Sequence, residues 1–204
     1  MLPSNPDRHT FASHLNELVS PSQPIQSIEH LHGRAHELDQ IDKALYAPGR
    51  HVFIYGDRGV GKSSLAAAAA RQYQSSDAGY IDIGCGPDAT LSSIVANIAL
   101  QALTQSRLKS KKISTKAGIS WRFLTFERSA EEVSRDLHAD IRTVLDAVEV
   151  LREVADIHSD KPIVVLDEFD RIQDSATRHI FADLIKHLGD KKVNLKFIFT
   201  GVAT

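Results

Sequence analysis

Gly56-Asp57-Arg58-Gly59-Val60-Gly61-Lys62-Ser63 is the stretch from which the rest of the chain is read. Its spacing is G-x-x-x-x-G-K-[ST], and Ser64 follows directly. Before it, His51-Val52-Phe53-Ile54-Tyr55 is a short β-branched and aromatic run that reads as a buried strand. After it, Ser63 to Tyr73 holds five consecutive alanines, Ala66 to Ala70, which favour helix. A strand, a glycine-rich turn and a helix together make an anion cradle. Gly56, Gly59 and Gly61 allow backbone angles that a side chain would forbid. The N–H groups of the loop then turn inward, and the helix aims its partially positive N-terminus at the same point. In that arrangement Lys62 reaches the β- and γ-phosphates of a nucleotide, and the Ser63 hydroxyl ligates Mg²⁺.

A second chemical motif stands about a hundred residues on. Pro162-Ile163-Val164-Val165-Leu166-Asp167-Glu168-Phe169-Asp170 reads as a buried parallel strand with acids at its C-terminal end. Ligands of open α/β sheets bind at that edge. Asp167 is placed to hold Mg²⁺ through water, and Glu168 to orient and polarise an attacking water. A hydrophobic run followed by Asp-Glu is weak alone; after the glycine-rich loop in the same domain it is specific. Asp170 and Arg171 read as a local ion pair rather than as catalytic groups. A helix over about Ser175 to Leu188 follows, then a strand from Asn194 to Gly201 that ends on the polar Thr200.

Composition fits one medium domain with a sizeable core. The chain has 204 residues, 42% hydrophobic and 25% charged, with a net charge of −2. That balance gives no global attraction to nucleic acid or to an anionic membrane. Cys85 is the single cysteine, so no intrachain disulfide forms, and a cytoplasmic setting is the simplest. No apolar run approaches membrane-spanning length, and the N-terminus has no signal-peptide h-region. The ten histidines are scattered without ligand spacing, which argues against a zinc site.

Residues 1–27 carry four of the seven prolines. They read as an extended or partly ordered arm with one short helix over Phe11 to Val19, either a tail or an arm packing on a neighbour. Leu38, Ile41 and Leu45 sit at helical spacing, and Pro48-Gly49 closes that helix. Gly79 to Ile83 reads as the second strand, and Thr90 to about Gln105 as a helix. The basic run Arg107, Lys109, Lys111, Lys112 and Lys116 leads into Gly118 to Phe126, where Ile119, Trp121 and Phe123 alternate with polar residues. This insertion, at about 106–128, is either a solvated loop whose aromatics pack on the domain or a grip on single-stranded nucleic acid. Ser129-Ala130-Glu131-Glu132 looks like a capping box. The apolar repeat Val133, Leu137, Ile141, Val144, Val148, Leu151 and Ala155 predicts one long helix to about Ile157.

Taken together, these motifs resemble the P-loop NTPases, and Gly33-Arg34 followed by Glu37-Leu38 and a helix resembles the entry to the AAA+ and STAND branches. The resemblance covers about Leu31 to Thr204. It implies a three-layer α/β fold, a mostly parallel sheet flanked by helices, for residues 28–204. It also implies that Gly33 and Arg34 cover adenine, and that Thr200 is a "sensor 1" group contacting the γ-phosphate or the lytic water. A complete module of this kind continues with a fifth strand and a helical lid, which bring an arginine finger and a second sensor. No residue here matches those roles. In the family strand order, a missing strand leaves the P-loop strand as an exposed hydrophobic edge. The implied function is ATP-Mg²⁺ binding and hydrolysis, coupling nucleotide state to assembly or a conformational switch, with a partner or second copy supplying the arginine finger. The alternatives are an origin-recognition-like ATPase acting on DNA through Arg107 to Lys116, and a hydrolysis-deficient nucleotide-binding scaffold. Neither the Asn-Lys-x-Asp signature of GTPases nor the signature loop of ABC ATPases is present.

Overall fold

The structure is a computed structural model that describes residues 33–74, 78–105 and 130–202. Its centre is a sheet of four parallel strands, β1 Val52–Gly56, β2 Ile81–Gly84, β3 Ile163–Asp167 and β4 Lys196–Val202, in the spatial order β1-β4-β3-β2. Parallel strands need long crossovers, and helices supply them: α1 Ala35–Tyr46, α2 Lys62–Tyr73, α3 Leu91–Gln105, α4 Ala130–Asp140, α5 Val144–His158 and α6 Ser175–Asp190. The expected three-layer α/β architecture is present.

The two-residue period of the strands sorts the core into two halves. On β3, Ile163 and Val165 meet Leu38 and Leu45 of α1 and Leu65, Ala66 and Ala69 of α2. Val164 and Leu166 face the other way, into the larger core built by α3, α5 and α6. On β4, Ile198 belongs to the α1/α2 side, while Phe197 and Phe199 join the larger core. Thr200, two residues after Ile198, is therefore delivered to the α2 side of the sheet, where the glycine-rich loop ends. The alanine run of α2 has a packing reason as well as a helical one. Ala66, Ala68 and Ala70 are buried to 1% exposure or less, which small side chains permit.

The start of β1 is pinned from β4. The Lys196 ammonium, buried in the sheet, donates to Ala47 O at 2.6 Å and Arg50 O at 3.3 Å. The Phe197 N–H donates to His51 Nδ1 at 3.2 Å. The outer side of β1 is unpaired among the described residues. On the sheet face that carries the larger core, Phe53 and Tyr55 are 49% and 59% exposed, stacked on one another at 6.1 Å, with Phe53 also stacked on Phe199 at 4.5 Å. The P-loop strand is thus the hydrophobic edge that the strand order implies.

One expectation fails. The repeat from Val133 to Ala155 does not make a single helix; the chain breaks between α4 and α5. Thr143 adopts extended angles, φ −127° and ψ 165°, and its hydroxyl accepts from the Asp146 N–H at 3.2 Å. The Asp146 carboxylate in turn accepts from the Thr143 N–H at 2.8 Å. This is a capping box with Asp in the place usually held by Glu or Gln. It starts a new helix while Leu137, Ile141, Val148 and Leu151 still share one core. The arm at 1–27 with its helix over Phe11 to Val19, the insertion at 106–128 and Ser129 of the first capping box lie outside the described residues.

Candidate active site

The loop after β1 adopts the backbone that its glycines permit. Gly59 and Gly61 have φ of 83° and 82°, the left-handed region in which a side chain is strained. Gly61 is the residue from which α2 springs, so the helix N-terminus opens directly beneath the loop. The Lys62 ammonium folds back and donates to Gly56 O at 3.0 Å and Asp57 O at 2.7 Å. Arg34, at the start of α1, donates to Val60 O at 3.1 Å and pairs with Glu37 at 2.8 Å. The segment before the loop is therefore tied to the loop's flank. Gly33 turns the chain into α1 with φ 78°.

The two motifs meet across the sheet. Ser63 Oγ donates to Asp167 Oδ1 at 2.8 Å, a contact between residues 104 positions apart. Thr200 Oγ1 donates to the same Asp167 oxygen, and accepts from the Glu168 N–H at 3.0 Å. Two hydroxyls from different elements thus converge on one carboxylate oxygen at the C-terminal ends of β3 and β4. A cavity of about 570 Å³ opens over them, lined by Gly59, Lys62, Ser63, Ser64, Asp167 and Glu168 and flanked by Arg58, Arg171 and Thr200.

Glu168 is conformationally unusual. Its φ of 54° and ψ of 40° place a non-glycine residue in the left-handed region, which costs on the order of 1–2 kcal/mol. Such strain concentrates at functional positions. Three contacts hold it: the N–H bond to Thr200, the Arg171 N–H donating to Glu168 O at 2.9 Å, and an ion pair from Arg171 Nη1 to Glu168 Oε2 at 2.6 Å. The last corrects an expectation. Arg171 pairs with Glu168 three residues back, not with its neighbour Asp170. Successive side chains diverge, whereas a tight 3-10 turn over Phe169–Arg171 stacks positions three apart. The Glu168 carboxylate holds the Arg171 guanidinium even more firmly protonated than usual. Sequence reasoning missed this contact, although an Asp-Glu-x-x-Arg spacing is a usable signal for it.

The donor set fits a nucleotide phosphate and Mg²⁺. The hydrogen bonds of Lys62 among the described residues go to neutral backbone carbonyls, leaving its charge for an anion. No group of three or more His, Cys, Asp or Glu side chains that could hold a metal is found among the described residues. A cation here would draw on Ser63 and Asp167 and take its remaining ligands from water and phosphate, which is how Mg²⁺ is usually held. Cys85, just after β2, donates its N–H to Asp167 O at 2.8 Å. It is no nucleophile, since burial, reinforced by the Asp167 charge, pushes its thiol up to about 12. Among the described residues no helix is long and apolar enough to cross a membrane. The basic run from Arg107 to Lys116 lies outside them.

A family model described as an AAA ATPase domain matches residues 30–198. Among solved structures, the chain is similar to the Walker-type ATPase PABY2304 of Pyrococcus abyssi, with 21% identity and a TM-score of 0.56. The likeness extends over 88% of this chain and 48% of the other, so the chain spans about half the length of that structure. At such identity it is the fold that is shared. No curated protein matches the chain.

Proposed function

Because the chain belongs to the family of AAA ATPase domains, we propose that it binds ATP with Mg²⁺ in the cavity over Lys62 and Asp167 and hydrolyses it. The observation that carries this reading is the convergence of Ser63 and Thr200 on Asp167 Oδ1 beneath the glycine-rich loop. In this reading the loop from Gly56 to Ser64 cradles the phosphates, and Lys62 leaves its two carbonyls to offset their charge. Ser63 and Asp167 would hold Mg²⁺, which would supply further charge neutralisation at the phosphates. Glu168 orients the attacking water. The water oxygen bonds to the γ-phosphorus as the bond to the β,γ-bridging oxygen breaks, ADP leaves with the electron pair, and Glu168 accepts the water proton before passing it to phosphate. Arg34 and Gly33 border the base, and Thr200 ties the two acidic residues to β4.

Turnover is a slow reset in this proposal. An arginine finger from a partner or second copy is worth about 10³–10⁵ in rate, and the role proposed for the domain is to couple nucleotide state to assembly or to a conformational switch. The test is nucleotide binding and steady-state hydrolysis by wild type, Lys62→Ala and Glu168→Gln. Wild type binds ATP-Mg²⁺, Lys62→Ala loses binding, and Glu168→Gln binds without turning over. Retention of full binding by Lys62→Ala, or of full turnover by Glu168→Gln, sinks the assignment.

A further inference from the structure

Arg171 and Glu168 form an ion pair inside the wall of the cavity, and we propose that it is a latch that the γ-phosphate opens. The inference rests on the nucleotide-binding reading above and adds a means of telling ATP from ADP. Three observations carry it. First, the pair is short at 2.6 Å, yet its two side chains are 53% and 52% exposed, so it is weakly held and accessible from the cavity. Second, the backbone of Glu168 is already fixed: Thr200 accepts its N–H, and its carbonyl closes the turn with the Arg171 N–H. Only the side chain is free to change partner. Third, Arg171 spends one donor, Nη1, on Glu168. A guanidinium carries five, and a fork of this shape matches phosphate oxygens bidentately.

With the latch closed, Glu168 Oε2 accepts from Arg171, which fixes where the carboxylate points. A terminal phosphate on the loop brings more negative charge to the guanidinium than one carboxylate does. Arg171 then moves its donors to that phosphate, and Glu168 is released toward the water. ADP has no γ-phosphate and leaves the pair intact. Arg152 makes an ion pair of the same i,i+3 spacing, with Glu149 at 3.1 Å on α5, but does not line the cavity, so it serves as the control cation.

The experiment is equilibrium binding of the Mg²⁺ complexes of ADP and of the β,γ-imido analogue of ATP. The proteins are wild type, Lys62→Ala, Arg171→Ala, Arg171→Lys, Arg152→Ala, Glu168→Ala and the Glu168→Ala/Arg171→Ala double variant. The analogue keeps hydrolysis out of the readout. Arg171→Ala weakens the triphosphate about tenfold relative to ADP, the scale of one charge-assisted contact. Arg171→Lys recovers part of the loss, and Arg152→Ala leaves the ratio unchanged. Glu168→Ala removes the competitor and strengthens triphosphate binding about threefold, and that gain disappears in the double variant. The latch is overturned if Arg171→Ala weakens both nucleotides equally or neither, or if Glu168→Ala acts alike with and without Arg171. If Lys62→Ala abolishes binding while the Arg171 ratio stays flat, the latch alone falls. If wild type binds neither nucleotide, the proposed function and the latch fall together.

Discussion

Replacing Thr200 by Val tests whether a hydroxyl at the end of β4 organises the acidic pair. The side chain is 2% exposed, so Val keeps its shape and burial while removing one donor and one acceptor. The Glu168 N–H loses the acceptor that stands 3.0 Å away, and an unsatisfied amide costs about 1–3 kcal/mol. Asp167 Oδ1 loses one of two hydroxyl donors; Ser63 remains at 2.8 Å, and cavity water replaces part of the other. The extra apolar burial returns less than about 1 kcal/mol. The expected net loss is therefore about 1–3 kcal/mol. In urea, with a slope on the order of 2–3 kcal/mol/M, this lowers the midpoint by about 1 M at unchanged slope. Thr200→Ser keeps both hydrogen bonds and loses one methyl, so it lies within about 1 kcal/mol of wild type. If Thr200→Val unfolds within 0.5 kcal/mol of wild type, a difference about as small as an ordinary surface substitution gives, the hydroxyl does not hold the pair. A loss in the Ser variant with none in the Val variant would show that the methyl matters and the hydrogen bonds do not.

Three further outcomes are expected. Burial, with the Lys196 ammonium close by, lowers the His51 pKa to about 4 from an ordinary 6.5. The unfolded chain therefore binds more protons between those values, and stability rises with pH across that window. At about 1.4 kcal/mol per pH unit, up to about 3 kcal/mol is lost as pH falls from 6.5 to 4. His51→Asn keeps an acceptor for the Phe197 N–H and should flatten that share of the slope; identical slopes for the two proteins would refute the assignment. Glu168→Gly should be more stable than Glu168→Ala by about 1 kcal/mol, because glycine enters the left-handed region without strain, and both variants should lose turnover. A thermal melt that ranks them in the opposite order would mean that the φ of 54° is not strained. Cys85 should react with a thiol reagent at pH 8 only at the rate of global unfolding, given its burial and raised pKa. Rapid labelling of the native protein would show that β2 opens locally.

The motifs of the proposed nucleotide site were legible because each of them is local in sequence. Gly56 to Ser63 carries its chemistry in eight consecutive residues, and the run into Asp167 and Glu168 declares both its strand and its edge. What escaped was set by geometry between neighbours. Thr143 and Asp146 break a helix that the apolar repeat carries straight through, because hydrophobic spacing reports which face is buried and not whether the backbone is continuous. Asp at the third position also falls outside the usual Glu or Gln signature. The Glu168–Arg171 pair was hidden by reading Arg171 with its immediate neighbour, when a 3-10 turn brings together residues three apart. The Lys196 and His51 contacts could not be read at all, since both depend on β4 lying beside β1.

That strand order also dictates when the site can exist. β1 finds its ladder partner in β4, with His51 and Phe197 meeting from positions 146 residues apart. As the chain leaves the ribosome, the glycine-rich loop emerges early on a strand whose partner β4 is not yet made. The acids of β3 follow, and only the last described strand, inserted between them, fixes their spacing. Such non-local closure is slow. A nascent chain lacking residues 196–202 lacks Thr200 and the β4 side of the cavity, so a ligand of that cavity can stabilise the fold only after β4 has paired. Until then the unpaired backbone of β1 is a surface for chaperones to cover.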